Sequence, residues 1–162
     1  VGSEMCIRDS QEAARVQPEA GRHSVKHLFL DTATLLYATG TDHPLRRPCR
    51  DLLAGAAAGE LELHVSVEAV QEYLFHRMRR GDRPRAVAEA LQIMEVCRVH
   101  AFDVAVARRA IDLVATSPLR GRDAVHAATA LTVGFETIVS PDTDFDHAPG
   151  LLRTPPQDAL GP

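Results

Sequence analysis

The chain has 162 residues and a net charge of −4, and 45% of its residues are hydrophobic and 25% are charged. This length suits one globular domain, which can bury a core without disulfide or zinc cross-links. The three cysteines form no CxxC pair, which indicates reduced thiols, and no apolar run is long enough to cross a membrane. We also find no secretory signal, so we expect a cytoplasmic protein.

Residues 1–25 are interpreted as an extension outside the domain, because they are polar and lack an apolar period. Their opening, VGSEMCIRDS, resembles translated sequencing-adapter sequence, which makes this extension a candidate assembly artefact. The domain is predicted to cover residues 26–154, and residues 155–162 are predicted to form a tail.

Within the domain, short apolar strands alternate with helices. Strands are predicted at 27–31, 61–65, 98–102, 137–140 and 151–153. Helices are predicted at 33–38, 44–58, 67–80, 82–96, 104–115 and 122–133. Asp42 or His43 is expected to cap the second helix, with Pro44 in its first turn, and Ser66 is expected to cap the third. The alternation predicts an α/β fold, a three-layer α/β/α arrangement with a mainly parallel central sheet.

Acidic residues follow three of the predicted strands. Asp31 ends the first strand, Glu68 lies just after the second, and Asp142 follows the fourth. Ligands of parallel sheets bind beyond the carboxyl ends of the strands, so we expect these acids at one edge of the sheet.

Clustered carboxylates repel one another unless a cation offsets their charge. Mg²⁺ and Mn²⁺ prefer oxygen ligands, and no cysteine or paired histidine is expected to compete for a softer metal. A cation of this kind lowers the pKa of water that it binds and stabilises charge that develops on a phosphate. The pattern therefore favours phosphodiester hydrolysis without a covalent enzyme intermediate.

Several of these acids, taken singly, also have a structural explanation. Asp31 and Asp123 stand where helices begin, a position that favours aspartate as a cap or as a first-turn acid. Glu68 has the same explanation, whereas Glu72 lies one turn further into its helix, so a functional interpretation gains weight there.

The segment SPDTDFD carries three aspartates and is also typical of a solvated turn. Asp142 is the closest of the three to the strand end and is the best site candidate, ahead of Asp144. His126 lies three residues after Asp123 on the same helix face. We interpret this histidine as a packed, hydrogen-bonded residue rather than a metal ligand or a base.

The net negative charge does not exclude a nucleic-acid partner, because phosphate binding needs only a local excess of positive charge. Arginine supplies nearly all of the positive charge, and its guanidinium can bind a phosphate through two hydrogen bonds. We interpret the arginines at 77–85 as a solvated face rather than an RNA groove. Arg120 and Arg122, beside Asp123, are better placed to contact phosphate.

Other phosphate-handling folds lack their signatures in this sequence. A phosphatase of the haloacid-dehalogenase type requires an aspartate where Ala33 stands, and a receiver domain requires a late lysine, but none follows Lys26. Neither a GxxxxGK[ST] loop nor a GxGxxG motif after a strand is present, so nucleotide binding has no support.

Four sequence blocks, in this order, resemble the PIN-domain family, and most of all the VapC toxins of prokaryotic toxin–antitoxin pairs. LFLDTATLLYA resembles the first block with Asp31, and SVEAVQEYLF resembles the second with Glu72. RDAVHAATA resembles the third with Asp123, and IVSPDTDFD resembles the fourth with Ser140 and Asp142. The resemblance covers residues 26–153, and four blocks in order with their strand and helix context are a specific signal.

The resemblance implies a Mg²⁺- or Mn²⁺-dependent endoribonuclease, the toxin of a type II pair, which forms a homodimer and is inhibited by a cognate antitoxin. It assigns the catalytic and metal-binding roles to four acids, Asp31, Glu72, Asp123 and Asp142. Glu68, Asp144 and Ser140 form a second tier of candidates. Ala33 departs from the family, which commonly has asparagine there, and this keeps open an alternative: a PIN-like binding module with a weakened site.

Overall fold

A computed structural model describes residues 25–161, so the predicted extension lies outside the described residues apart from Val25. Its strands are β1 (Lys26–Phe29), β2 (Leu61–Ser66), β3 (Cys97–His100), β4 (Thr137–Val139) and β5 (Leu152–Thr154). Its α-helices are α1 (Thr32–Thr39), α2 (Arg46–Ala57), α3 (Val67–Arg80), α4 (Arg83–Val96), α5 (Val104–Thr116) and α6 (Gly121–Thr132). None of the helices in this range has the length and apolar character needed to span a membrane.

All strand pairs are parallel, as the sequence predicts. β2 pairs with β1 and β3, and β4 pairs with β5. The two groups meet where Leu30 bridges Val139, just past the end of β1. The backbone amide of Leu30 donates to the carbonyl of His64 at 2.8 Å, and that of Asp31 donates to the carbonyl of Val139 at 3.1 Å. The strand order is therefore β3-β2-β1-β4-β5.

Helices cover both faces of this sheet, which confirms the predicted three-layer arrangement. Leu28 and Leu30 of the first strand region point to one side, where they share a buried cluster with Leu35 of α1 and Tyr73 of α3. Phe29 points to the opposite side and shares its cluster with residues of α5 and α6. Alternate residues of a strand face opposite sides, so one strand contributes to both cores.

Short polar side chains begin three of the helices. Ser66 Oγ accepts a hydrogen bond from the amide of Ala69 at 3.0 Å, which confirms Ser66 as the cap of α3. Asp103 caps α5 in the same way through the amide of Val106 at 2.9 Å. Asp82 caps α4. These caps fix the residues at which α3, α4 and α5 begin.

The predicted start of the second helix is wrong, because α2 begins at Arg46 rather than at Pro44. Two prolines, Pro44 and Pro48, stand near this end. Proline is tolerated only in the first turn, where its missing amide has no helical partner. A helix that began at Pro44 would place Pro48 beyond the first turn, so Pro48 determines the later start.

The segment that follows Pro155, predicted as a tail, contains a short 3-10 turn (Pro156–Asp158). It buries Pro156 and Ala159, and Lys26 Nζ donates to the carbonyl of Ala159 at 2.7 Å. This part of the chain therefore packs on the first strand, while the proposed division into extension, domain and tail stays a prediction.

Candidate active site

The centre of the sheet contains a topological switch point. The chain order runs from β1 outward to β3 and then returns to β4 on the other side of β1. Crevices that bind ligands form at such points, beyond the carboxyl ends of the two strands. Asp31 follows β1 and Ser140 follows β4, so the fold places both residues at this position.

A buried hydrogen bond joins the two sides of the switch point. Ser140 is fully buried, and its hydroxyl donates to Asp31 Oδ2 at 2.8 Å. The same hydroxyl oxygen accepts the backbone amide of Asp142 at 2.9 Å. Ser140 therefore orients the Asp31 carboxylate and also fixes the turn that carries Asp142.

Asp31 is only 5% exposed, and this burial raises the pKa of its carboxyl. His126 and Ser140 offset part of that rise. Asp31 occupies the N-cap position of α1, yet its side chain makes no capping hydrogen bond of good geometry. The amides of Thr32 and Ala33 are close enough to lower its pKa, but less than Ser140 does. Capping alone therefore does not explain this aspartate.

Asp123 lies in the first turn of α6 and is partly buried. Burial and the negative charges of Asp31 and Asp142 raise the pKa of its carboxyl to about 6, against an ordinary value of 3.8. Asp144 adds to this repulsion, and His126 acts against it. Asp31 before α1, Asp123 on α6 and Asp142 after β4 thus form a group of neighbouring carboxylates that positive charges do not balance.

Glu72, in the second turn of α3, has a different environment. Arg122 Nη1 donates to Glu72 Oε1 at 2.6 Å, and His126 Nε2 lies 3.4 Å from Oε2. The hydrogen bond from His126, together with Arg122, lowers the pKa of Glu72 to about 2 despite its burial. Glu72 is therefore ionised and paired, whereas Asp123 is repelled by its neighbours.

His126 connects these acids to the ends of the strands. It is buried, with Nδ1 2.7 Å from Ser66 Oγ and Nε2 3.2 Å from Thr32 Oγ1. Nε2 also lies 3.9 Å from Asp31 Oδ1. An ionised Glu72 can only accept hydrogen bonds, so Nε2 carries the proton that points at it. The interpretation of His126 as a packed, hydrogen-bonded residue is confirmed, but its partners Ser66 and Thr32 were not predicted from the sequence.

The three aspartates after β4 differ in the contacts that they make. Asp142 Oδ1 accepts the amide of Asp144 at 2.9 Å, so both belong to the turn at the switch point. Asp146 instead forms a two-pronged ion pair with Arg153, at 2.7 and 3.0 Å. That ion pair gives Asp146 a structural role. Asp142 and Asp144 instead lie near Asp123 and add to the negative charge around it.

The remaining candidates lie at the rim. Glu68 Oε1 is 4.0 Å from Arg122 Nε, and Arg122 has half of its side chain exposed. Arg120 is exposed at the N-cap position of α6. Part of the Arg122 guanidinium is already engaged by Glu72, so Arg120 is the less encumbered of the two predicted phosphate contacts.

The chemistry of the donor set fits a hard divalent cation. Carboxylate oxygens are the ligands that Mg²⁺ and Mn²⁺ prefer, and the repulsion around Asp123 is what a bound cation would relieve. Within residues 25–161, the predicted acids do not close into a set of three donor atoms that all lie within 4.8 Å of one another. Mg²⁺ usually keeps several of its water ligands, so an open set of this kind suits it.

Comparison with known proteins supports the fold. Residues 28–151 match the PIN domain family. Ribonuclease VapC7 of Mycobacterium tuberculosis is 38% identical over 137 residues, which cover 83% of this chain and 94% of that protein. Ribonuclease VapC23 of the same species is 35% identical over 124 residues, 74% of this chain and 93% of its own.

A DNA-bound VapBC from Salmonella typhimurium has a similar fold, with a TM-score of 0.65 and 16% identity. The superposition covers 82% of this chain and 99% of that one. The match over residues 28–151, with relatives above 30% identity, shows that this chain belongs to the PIN domain family. Within that family, its similarity is to the VapC ribonucleases.

Proposed function

We propose that this chain is an endoribonuclease that depends on a divalent cation and acts as the toxin of a type II toxin–antitoxin pair. The observation that carries the proposal is the unbalanced group of Asp31, Asp123 and Asp142 at the switch point. Burial and the negative charges of Asp31 and Asp142 raise the pKa of the Asp123 carboxyl to about 6. Buried neighbouring like charges oppose folding, so stability does not explain this group.

In this proposal, Asp31, Asp123 and Asp142 hold Mg²⁺ or Mn²⁺, directly or through water. When bound, the cation would lower the pKa of the attacking water and offset negative charge on the phosphate. Ser140 keeps the Asp31 carboxylate in one orientation through its 2.8 Å hydrogen bond. Glu72 has a pKa of about 2, so its carboxylate can accept a hydrogen bond from the attacking water and orient it. The same low pKa makes it too weak a base to take up the proton of that water.

Two groups outside the acids complete the proposed site. His126 donates a hydrogen bond to Glu72 from the protein interior, and Arg122 donates to the same carboxylate from the solvent side. Arg120 and the exposed part of Arg122 lie beside Asp123, where they can pair with the phosphates that flank the cleaved bond.

Cleavage assays with purified protein test this function. We expect structured RNA to be cut with Mg²⁺ or Mn²⁺ and left intact with a chelator or with the Asp123→Asn variant. Asp146→Asn is the matched control, because Asp146 pairs with Arg153 outside the acid group. Cleavage that survives both the chelator and Asp123→Asn would rule out the mechanism. A wild type that is inert with both metals, yet binds RNA or a protein, would favour the binding module.

We further infer an antitoxin partner and a homodimer. Val87, Leu91 and Met94 form an exposed apolar stripe on α4, a helix face that can pack against another chain. The similar Salmonella structure contains both VapB and VapC, which supports the same kind of partner here. We expect the product of a small adjacent gene to form a complex with this chain and to suppress cleavage. Size-exclusion chromatography with light scattering measures the mass of the chain alone and of the mixture.

A further inference from the structure

A second group of metal-binding side chains lies on the sheet, apart from the acids. His27 is the second residue of β1, and Glu62 and His64 lie two residues apart on β2, so both β2 side chains point to the same face. His27 and Glu62 are paired in register across the two strands. The three side chains are 52%, 38% and 7% exposed, respectively, so the group is anchored in the sheet and open to solvent on one side.

This group is separate from the proposed nuclease site. Asp31 follows His27 by four residues along the first strand, a distance of about 13 Å at the usual rise per residue. The acids lie at the carboxyl edge of the sheet, while His27 and Glu62 lie at the amino ends of β1 and β2. The proposed RNA cleavage therefore gives these residues no role.

The donor atoms form a triangle of suitable size. His64 Nε2 lies 3.2 Å from His27 Nδ1 and 3.2 Å from Glu62 Oε1, and His27 Nδ1 lies 3.7 Å from Glu62 Oε2. In tetrahedral zinc sites with bonds of 2.0–2.1 Å, neighbouring ligand atoms are about 3.3 Å apart. We propose that His27, Glu62 and His64 bind Zn²⁺, with water as the fourth ligand, and so link β1 to β2.

The surroundings of His64 support a metal ligand. Its Nδ1 lies 2.8 Å from His100 Nε2, so a proton on Nδ1 can be donated to His100 while Nε2 keeps its lone pair. The His64 and His100 rings are nearly coplanar, with centroids 5.1 Å apart and an interplanar angle of 10°, and Phe135 packs against the His64 ring with centroids 4.7 Å apart.

Arg98 is a charged neighbour that acts against the ion. Its Nη1 lies 3.3 Å from Glu62 Oε1, to which it donates a hydrogen bond. The guanidinium competes with zinc for that oxygen, although 68% of the Arg98 side chain is exposed and free to turn away. Removal of Arg98 should therefore tighten zinc binding.

From the sequence, no paired histidine is expected to compete with the acids for a softer metal. His27 and His64 are 37 residues apart in the chain and meet only across the sheet, away from the acids. The alternation of Glu62 and His64 on one strand face was the available signal.

Isothermal titration with Zn²⁺ tests the site, on the full untagged chain with excess Mg²⁺ to occupy the acids. We expect one equivalent to bind wild type, and binding at least about 10-fold weaker in His27→Asn and in Glu62→Gln. The matched control is His43→Asn, which removes an exposed histidine that packs on Tyr37. Arg98→Gln should bind zinc more tightly than wild type.

Thermal unfolding gives a second readout. Zinc should raise the Tm of wild type and of His43→Asn, and should raise the Tm of His27→Asn by clearly less. The His27 side chain is exposed and that of Glu62 is partly exposed, and neither belongs to the buried core, so their substitution leaves the core intact. Wild type that binds no zinc with Mg²⁺ present would overturn the proposal, as would His27→Asn binding zinc as tightly as wild type. RNA cleavage by wild type is independent of either outcome.

Discussion

Two carboxylates in different regions of this molecule, Glu89 and Asp123, have pKa values that shift in opposite directions. Between α3 and α4, Glu89 accepts hydrogen bonds from Arg77 at 2.6 and 3.0 Å and from Arg85 at 2.9 Å. Although Glu89 is largely buried, these arginines lower the pKa of its carboxyl. At the switch point, burial and neighbouring carboxylates instead raise the pKa of Asp123 to about 6.

This difference in pKa distinguishes acids that stabilise the fold from acids of the candidate active site. A carboxylate paired with an arginine of an adjacent helix holds two elements together, as Glu89 does through Arg77 for α3 and α4. A carboxylate that faces other carboxylates opposes folding and becomes useful only when a cation binds. Glu72 lies between these cases, since it is balanced by Arg122 yet borders the unbalanced group.

The largest expected effect is that of Asp31→Asn on RNA cleavage. This change keeps the shape of the side chain but removes the buried charge at the centre of the acid group. We expect the cleavage rate to fall about 1,000-fold, which corresponds to about 4 kcal/mol of transition-state stabilisation. Initial rates at saturating Mg²⁺ measure it. A rate within tenfold of wild type would mean that Asp31 is a structural residue like Glu89.

Ser140→Ala should have an intermediate effect, because Ser140 is fully buried and acts on the site through its hydrogen bond to Asp31. Loss of a residue that supports a metal ligand typically costs about 10–100-fold in metal affinity or activity. We expect the Mg²⁺ concentration for half-maximal cleavage to rise by that factor. The rate at very high Mg²⁺ should recover in part. An unchanged Mg²⁺ dependence would show that Ser140 only packs.

Glu89→Gln should give the smallest effect on cleavage and a clear effect on stability. The loss of hydrogen bonds to charged partners should lower the free energy of unfolding by about 1–2 kcal/mol, while the cleavage rate stays close to that of wild type. Urea unfolding and initial rates measure the two quantities. A large loss of activity in a folded Glu89→Gln protein would contradict the separation of the two regions.

That stability difference should also depend on pH. The pKa of Glu89 is lowered in the folded state, so its contribution is present above its ordinary pKa of 4.5. The contribution is lost as the pH falls through the folded-state pKa. Wild type and Glu89→Gln should therefore converge in stability in acid, below the ordinary value.

Much of the site was predictable from the sequence, because strand ends in a parallel sheet share an edge. That rule alone brings Asp31 and Asp142 together. The cap at Ser66 and the bounds of α3 followed from local patterns, which a single helix satisfies by itself. The Asp123 repulsion was foreseen only as a general cost of clustered acids.

The pairings inside the site could not be predicted in this way. Arg122 was expected to contact phosphate, yet it binds Glu72, 50 residues away in the chain. His126 reaches Ser66 and Thr32 across 60 and 94 residues. Such contacts depend on how α3 and α6 pack over the sheet, which no local pattern specifies.

The most direct test of the account is the unfolding free energy of Asp123→Asn against wild type at pH 7 in a chelator. Since the folded-state pKa of Asp123 is raised to about 6 from 3.8, its ionised form opposes folding above that pH. We predict that the variant is more stable than wild type by about 1–2 kcal/mol, after allowance for partial exposure. The difference should shrink as the pH falls from about 6 towards 4. A helix-start role would give the opposite sign, a loss of about 0.3–1 kcal/mol, and that result would contradict the account.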